Sequence, residues 1–300
     1  MLIFPTEEAF DVKALIDSEE QAYRDQIDLA VKSILDTKIR FIFLAGPSCS
    51  GKSTTARCLV NALEKNGKRV FACSTDDFFR DKEFAPKNPD GSPNYETFEH
   101  ADPPLIIETL KSLSCGNATP IPCYNFITGK RILCAQLISP SDYDVFLLEG
   151  IHALNDVLLQ GMPKNEPYLC FYLDVTESVR SGSGGGEFSP EQIRFCRRLI
   201  RDFKHRGASP DLTEKLWKNV IAAEKEILHP FRKNACQTIS SSFSYEIAVE
   251  KKEVSDLLST VEESSPLYPK AKRILEDLKK FPMLPESLVP QGSVLKEFLD

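Results

Sequence analysis

Several features that are common in proteins are missing from this sequence, and each absence argues against one class of protein or site. No run of about 18 apolar residues occurs, so we expect no membrane-spanning helix. The first residues carry no basic start, so we expect no secretory signal. None of the nine cysteines forms a CxxC pair, which disfavours a zinc site and a disulfide framework and predicts a reducing, cytoplasmic location.

Basic residues are outnumbered by acidic ones, 37 to 44. The formal net charge is −7, whereas proteins that bind nucleic acids are more often basic. We therefore expect no nucleic-acid partner and no membrane partner. The sequence leaves open whether the chain forms a homo-oligomer.

What the sequence does contain is an alternation of short apolar runs with helical segments. Strands are predicted at 39–45, 69–74, 144–148 and 168–173. An amphipathic helix is predicted over 18–36. This alternation predicts an α/β fold with a doubly wound parallel sheet.

The composition also suggests where regions begin and end. Beyond about residue 246 the chain is polar and helical, and the apolar stripe of Ala271, Ile274, Leu275 and Leu278 needs a partner surface. We predict an N-terminal helical segment at 1–37, a core at 38–245 and a helical appendage at 246–300.

The strongest motif is GPSCSGKST, which follows a predicted strand and precedes a predicted helix. It satisfies the P-loop pattern GxxxxGK[ST], in which backbone N–H groups and a helix N-terminus hold phosphates. In such a loop Lys52 reaches the β- and γ-phosphates, and the Ser53 hydroxyl is a ligand of Mg²⁺. The fold is thus predicted to be of the P-loop NTPase type. The predicted ATP-binding residues of the loop are Gly46, Pro47, Ser48, Cys49, Ser50, Gly51, Lys52, Ser53 and Thr54.

A P-loop alone does not separate kinases from other nucleotide hydrolases. No NKxD guanine-reading motif occurs, which argues against a GTPase. A kinase needs an acid near the acceptor hydroxyl, and Asp76 and Asp77 follow the second predicted strand. Either could be the base while the other caps the next turn. Glu149 ends the strand DVFLL, where a carboxylate can hold the metal.

Arginines crowd the segment FCRRLIRDFKHRG, which follows the glycine-rich stretch SGSGGG at 181–186. At helical spacing Arg194, Arg197, Arg198 and Arg201 share one face. We interpret residues 181–207 as a basic lid hinged at the glycines, because arginine can bind phosphate bidentately. The alternatives are an ordinary solvated face and a small RNA-binding patch, although the segment lacks interleaved aromatic residues.

Six motifs in this order resemble the uridine kinase and phosphoribulokinase family of P-loop kinases. They are GPSCSGKST, STDDFF, FEHADPP, PCYNF, LLEGIHAL and RRLIRDFKHRG, within about residues 38–240. The later stretches RGASPDLTEKLW, HPFRKNA and SYEIAVEKK look closest to a uridine kinase-like subgroup.

The resemblance implies roles for individual residues. Asp76 matches the base that activates the acceptor hydroxyl, and Glu99 matches the acid on the ribose hydroxyls. Glu149 matches the metal-linked acid. Tyr124 and Phe126 match the aromatic pocket, and the lid arginines of the family are matched by Arg197, Arg198, Arg201 and Arg206.

We therefore expect an ATP- and Mg²⁺-dependent kinase that phosphorylates a nucleoside hydroxyl, with uridine or cytidine as acceptor. Uridine kinases place a base-contacting histidine where this chain has Gly129, so tight selection of uridine is not expected. Lys130 and Arg131 follow directly and would suit an anionic acceptor. The alternatives are a kinase for another hydroxylated metabolite, such as a sugar, a sugar phosphate or a pantothenate-like compound, and a nucleotide-binding regulator without turnover.

Overall fold

The computed structural model describes residues 1–5, 10–88, 91 and 93–299. The end of the predicted appendage, residue 300, lies outside this range. The strands are β1 (Leu2–Phe4), β2 (Phe41–Ala45), β3 (Val70–Ser74), β4 (Thr119–Asn125), β5 (Lys130–Ile138), β6 (Val145–Glu149), β7 (Tyr168–Asp174), β8 (Val179–Ser181), β9 (Glu187–Phe188) and β10 (Gln237–Ser240). The helices are α1 (Val12–Thr37), α2 (Lys52–Lys65), α3 (Pro103–Ser114), α4 (Asp156–Gly161), α5 (Pro190–Arg206), α6 (Pro210–Ile227), α7 (Glu246–Leu258), α8 (Tyr268–Leu278) and α9 (Lys296–Leu299).

The central sheet has five parallel strands in the order β10-β7-β2-β6-β3. Helices cover both of its faces, so the predicted α/β fold with a doubly wound parallel sheet is confirmed. All five residues of β2 are buried, as expected for a strand between two helical layers.

Alternate residues of the sheet point into two separate hydrophobic clusters. Ile42 and Leu44 face one cluster together with residues of α1, α2, α5, α7 and α8. Phe41 and Phe43 face the other, which contains residues of α3 and α4. The period of two along β2 therefore divides the core between the two sides of the sheet.

Helix α1 begins six residues before the predicted start at residue 18. Asp11 caps it, because its side chain accepts a hydrogen bond from the Ala14 N–H at 3.0 Å. Ser18 and Gln21 have the spacing of a capping box, but both lie inside the helix. Its inner face includes Tyr23, whose hydroxyl lies 2.7 Å from the Thr55 hydroxyl of α2.

The helices after residue 246 share the hydrophobic cluster of the sheet. Ala271, Ile274 and Leu278 are buried in it, together with Val254 and Leu257. The division into regions at 37/38 and 245/246 stays a prediction, and one cluster contains residues from all three regions.

The glycine-rich stretch differs from the expected hinge. Ser181 ends β8 and residues 182–186 form the turn to β9; the Ser181 hydroxyl donates a hydrogen bond of 2.5 Å to the Lys280 carbonyl. Strand β8 also pairs in parallel with β1. The stretch is thus held on both sides rather than leading freely into α5. Among the described residues, no helix is long and apolar enough to cross a membrane.

The buried histidine His152 should make the stability depend on pH. It is 0% exposed, and neither ring nitrogen has a hydrogen-bond partner among the described residues. Burial lowers its pKa to about 3. The unfolded chain takes up a proton below about pH 6.5, whereas the folded chain does not. This group therefore removes stability as the pH falls from about 6.5 towards 3, by about 1.4 kcal/mol per pH unit.

Urea denaturation between pH 7 and 4.5 tests this prediction. In His152→Leu, the free energy of unfolding should fall less steeply with decreasing pH than in the wild type. Parallel curves for the two proteins would show that His152 is not the group responsible.

Candidate active site

The candidate site lies at the carboxyl ends of three adjacent strands. Strand β6 lies between β2 and β3, and Glu149 at its end is in register with Leu44 on one side and Ser74 on the other. The phosphate loop follows β2, and Asp76 follows β3. Parallel strands therefore bring three separate motifs to one edge of the sheet, where open α/β sheets bind ligands.

The phosphate loop has the geometry of an anion site. Gly51 has φ = +92°, a conformation that glycine adopts readily, and α2 begins directly after it at Lys52. The N–H groups of the first helical turn therefore face the loop, at the positive end of the helix dipole. The Lys52 ammonium donates a hydrogen bond of 2.9 Å to the Pro47 carbonyl across the loop.

Two buried ion pairs hold this loop from behind. Arg194 pairs bidentately with Glu224 at 2.9 Å for both contacts. The same two side chains bind the backbone of Ser48, since Glu224 accepts from its N–H at 2.8 Å and Arg194 donates to its carbonyl at 3.0 Å. The Arg194 guanidinium also lies 5.3 Å from the ring centroid of Trp217.

The second pair joins Arg197 to Glu246, at 2.5 and 2.8 Å. Arg197 also donates to the carbonyls of Cys49, at 3.2 Å, and Ser241, at 2.7 Å. It is 0% exposed. The expectation that Arg197 contacts the reacting phosphate therefore does not match the structure, which places it under the loop with its donors in use.

The basic residues of α5 fall into two groups, one in front of the phosphate loop and one behind it. Arg198 donates to the Ser48 hydroxyl at 3.1 Å, and it lines the cavity in front of the loop together with Arg201, His205 and Arg206. Arg194 and Arg197 lie behind the loop. The expected basic face at helical spacing is thus mostly buried, whereas Phe203 of the same helix is 54% exposed.

The structure separates the two adjacent aspartates. Asp77 accepts a hydrogen bond of 3.1 Å from the Ser74 N–H and completes the capping box of the turn at 75–78. Asp76 lines the cavity, and burial raises the pKa of its carboxyl group. Asp76 is therefore positioned to meet a ligand, while Asp77 holds the turn.

Glu149 and Ser53 lie side by side at the mouth of the loop. The Ser53 hydroxyl donates to Glu149 at 3.3 Å, and burial raises the pKa of Glu149 to about 7. One hydroxyl and one carboxylate make a sparse set of hard oxygen donors. Such a set fits Mg²⁺, which keeps several waters and takes further oxygens from phosphates. No cluster of three or more metal-ligating side chains exists among the described residues.

One cavity of about 860 Å³ joins these groups. The predicted site residues that line it are Ser48, Cys49, Gly51, Lys52, Ser53, Asp76, Tyr124, Phe126, Glu149, Arg198, Arg201 and Arg206. Gly46, Pro47, Ser50 and Thr54 belong to the loop but do not line the cavity.

Glu99 does not reach the cavity either. It is exposed, whereas Glu96 three residues earlier lines the cavity, and burial raises the pKa of the Glu96 carboxyl group. The resemblance singled out Glu99 by its motif FEH. The turns at 95–101 point Glu96 inwards instead, and the motif gives no sign of this.

Aromatic rings beyond the expected Tyr124 and Phe126 also line the cavity, and together they form an aromatic wall. The Phe79 ring stacks on His100 at 4.9 Å, and Tyr124 lies edge-on to Phe79 at 5.6 Å. The motif STDDFF contains Phe79, so a closer interpretation of that motif could have found it. The cavity-lining residues that were not predicted are Phe79, Lys82, Tyr95, Glu96, His100, Ile127, Ile151, His205 and Glu297.

Gly129, where uridine kinases place a histidine, lies at the tip of the β4–β5 hairpin with φ = +67°. A Cβ atom added there would lie 2.8 Å from the Lys82 Cβ, so a larger side chain would force a shift. Lys130 pairs with Asp81 and Glu83, and Arg131 pairs with Asp102. These two basic residues therefore form local ion pairs and do not line the cavity.

A pair of substitutions tests the placement of Arg197. Arg197→Met should lower the free energy of unfolding by about 3–5 kcal/mol, because it leaves Glu246 buried and unpaired. Arg206 is half-exposed in its pair with Asp202, so Arg206→Met should cost about 1 kcal/mol or less. Urea denaturation of both variants measures the difference. Wild-type stability in Arg197→Met, combined with lost turnover, would return Arg197 to the catalytic role that the sequence predicted.

Comparisons with known proteins agree with this geometry. The family model described as "Phosphoribulokinase / Uridine kinase family" matches residues 41–180. A curated uridine kinase from Staphylococcus haemolyticus (strain JCSC1435) is 28% identical over 210 residues, which cover 70% of this chain and 91% of that protein. The uridine kinase of Staphylococcus aureus (strain JH9) matches with the same identity and coverage.

A crystal structure described as a fructose transport system kinase, from Silicibacter sp. TM1040, has a TM-score of 0.52 at 17% identity and covers 71% of this chain and 98% of that chain. At this identity the likeness concerns the fold alone. The matched family model begins at β2 and contains the phosphate loop, Asp76 and Glu149. Over residues 41–180 the chain is therefore similar to the phosphoribulokinase and uridine kinase family, and over 210 residues it is similar to curated uridine kinases.

Proposed function

We propose that this kinase phosphorylates a hydroxyl of a nucleoside and reads the base of that nucleoside loosely. The observation that supports the proposal most is the position of Asp76. Its carboxyl group lines the same cavity as Lys52 of the phosphate loop and the aromatic wall. An acceptor between the loop and the wall would present its hydroxyl to Asp76.

Asp76 is proposed to act as the general base. It accepts the proton of the acceptor hydroxyl as the oxygen attacks the γ-phosphorus of ATP, and the bond from that phosphorus to the bridging oxygen of ADP breaks. Burial raises the pKa of this carboxyl group, which makes the carboxylate a better proton acceptor.

The cationic side chains around the loop are proposed to neutralise the phosphoryl group in transfer. Lys52 lies at the start of α2, and Arg198, Arg201 and Arg206 approach from α5. Charge placed in advance around a dry site stabilises the transition state without reorganisation. Ser53 and Glu149 are proposed to hold Mg²⁺, which when bound supplies further neutralisation of the phosphate oxygens.

The acceptor end of the cavity suits a flat ring joined to a polyol. Phe79, Tyr95, Tyr124 and Phe126 offer aromatic surface for stacking, and Glu96 offers a carboxylate for vicinal hydroxyls. Gly129 offers no side chain to the edge of a base, and Asn125 uses its side-chain oxygen within the hairpin turn. Stacking tolerates any planar base, so weak discrimination between bases is expected.

A second candidate acceptor is a hydroxylated metabolite without a base. Lys82, which also lines the cavity, favours an acceptor with negative charge. A panel of nucleosides, sugars and sugar phosphates assayed for ADP release separates the two. Preference for nucleosides by about 10-fold or more would support the first candidate, and preference for a sugar phosphate would support the second.

The base assignment is tested by a matched pair of aspartates. Asp76→Asn should lower kcat by about 10²-fold or more, within the range that general-base catalysis supplies, and leave the affinity for ATP nearly unchanged. Asp77→Asn replaces the charged acceptor of the Ser74 N–H by a neutral amide oxygen and should lower stability by about 1 kcal/mol or less, with a smaller effect on kcat. Steady-state kinetics and thermal denaturation measure both effects. The reverse ranking in kcat would move the base to Asp77.

Glu96 and Glu99 form the second matched pair. Glu96→Gln should raise KM for the acceptor by about 10-fold, because hydrogen bonds to a charged group contribute about 1.5–3 kcal/mol. Glu99→Gln carries the same change in charge on an exposed side chain and should leave KM near the wild-type value. An effect confined to Glu99→Gln would restore the assignment that the resemblance made.

A further inference from the structure

A segment near the carboxyl end of the described chain lies against the phosphate loop. Val294, Leu295, Phe298 and Leu299 are each buried to 2% exposure or less. A Cβ atom added to Gly51 would lie 2.3 Å from the Val294 Cγ1, so the valine packs directly on the glycine of the loop. The Phe298 ring centroid lies 5.2 Å from the Arg197 guanidinium, which supports the loop from behind.

This segment brings a carboxylate to the N-terminus of α2. Glu297 accepts hydrogen bonds from the Thr54 N–H at 3.3 Å and from the Thr54 hydroxyl at 2.8 Å. Glu297 is half-buried and lines the same cavity as Lys52 and Asp76. Thr54 is the last residue of the phosphate-loop motif, and both of its donors are thus turned towards an acidic side chain.

We propose that residues 293–299 dock on the phosphate loop and that the Glu297 carboxylate holds the place of a nucleotide phosphate. The segment then acts as a built-in competitor, which a nucleotide has to displace from Thr54. This inference rests on the proposed function only in that the loop binds nucleotide phosphates, and it is independent of the acceptor.

The chemistry of the contact fits this role. The first N–H groups of a helix lack partners within the helix, and either a phosphate or a carboxylate can accept hydrogen bonds from them. The two anions cannot occupy the same donors at one time. The apolar anchors keep the carboxylate next to the loop, so that its effective concentration there is high without any diffusion step.

Competition of this kind has a defined thermodynamic consequence. The apparent affinity for a nucleotide that displaces the segment equals the intrinsic affinity multiplied by the fraction of molecules in which the segment is undocked. Conversely, removing the carboxylate should make nucleotide binding tighter while it weakens the ligand-free fold. A residue that only stabilised the fold would change the stability of the ligand-free protein without changing the affinity for the nucleotide.

Titration calorimetry with ADP in the absence of any acceptor measures the affinity for the nucleotide. Glu297→Gln should bind ADP about 10-fold more tightly than the wild type, because the substitution removes the charge that competes for the donors. The matched control is Glu276→Gln on α8, which makes the same change in charge at an exposed ion pair with Lys279. The control should bind ADP as the wild type does.

Two further readouts separate displacement from a structural role. Without nucleotide, Glu297→Gln should have a lower Tm than the wild type, and saturating ADP should raise its Tm by more than it raises that of the wild type. In the wild type, ADP should speed hydrogen exchange at the amides of Phe298 and Leu299, which bond to the Leu295 carbonyl. Both results are expected if the segment leaves the loop.

Unchanged or weaker ADP binding in Glu297→Gln, with normal binding in the wild type, would overturn the proposal. Slower hydrogen exchange at the amides of Phe298 and Leu299 on addition of ADP would overturn it as well, because the segment would then close over the nucleotide. Failure of the proposed function has a different signature: the wild type, Glu276→Gln and Glu297→Gln would all show no heat of ADP binding.

Discussion

The ion pairs Arg194–Glu224 and Arg197–Glu246 lie under Ser48 and Cys49, where water does not reach them. A buried pair contributes little net stability, because the loss of hydration offsets the attraction. Its effect here is geometric: four side chains from three helices fix the backbone of a loop that would otherwise be free to change shape. The direction in which the loop presents its N–H groups depends on this support.

The central sheet, the phosphate loop and the two acidic strand ends could all be predicted from the sequence. Each depends on local signals: an apolar run, a glycine spacing, an acid after a strand. The arginines of α5 could not be assigned in the same way. Their partners Glu224 and Glu246 lie 30 and 49 residues further along the chain, and spacing within one helix contains no information about them. A periodic row of arginines is the same pattern whether it faces water or a buried carboxylate.

The acceptor end shows a similar limit. The motif FEH identified a turn that borders the cavity but not the glutamate that lines it, because the path of residues 95–101 decides which side chain reaches the cavity. The sequence predicts that one of Asp76 and Asp77 caps the turn and that the other is the candidate base. The hydrogen bond from the Ser74 N–H identifies Asp77 as the residue that caps the turn. No sequence motif marks Glu297, because its position at the site results from contact with Thr54, which is 243 residues away in the chain.

The single tryptophan of the chain lies beside one of these supports. Trp217 is 1% exposed, and the guanidinium above its ring belongs to Arg194, which holds the backbone of Ser48. The indole therefore sits one side chain away from the phosphate loop, inside the protein and shielded from quenchers in the solvent. The emission of this single tryptophan should therefore respond to changes in the charge around the loop, so the protein can be followed without an added label.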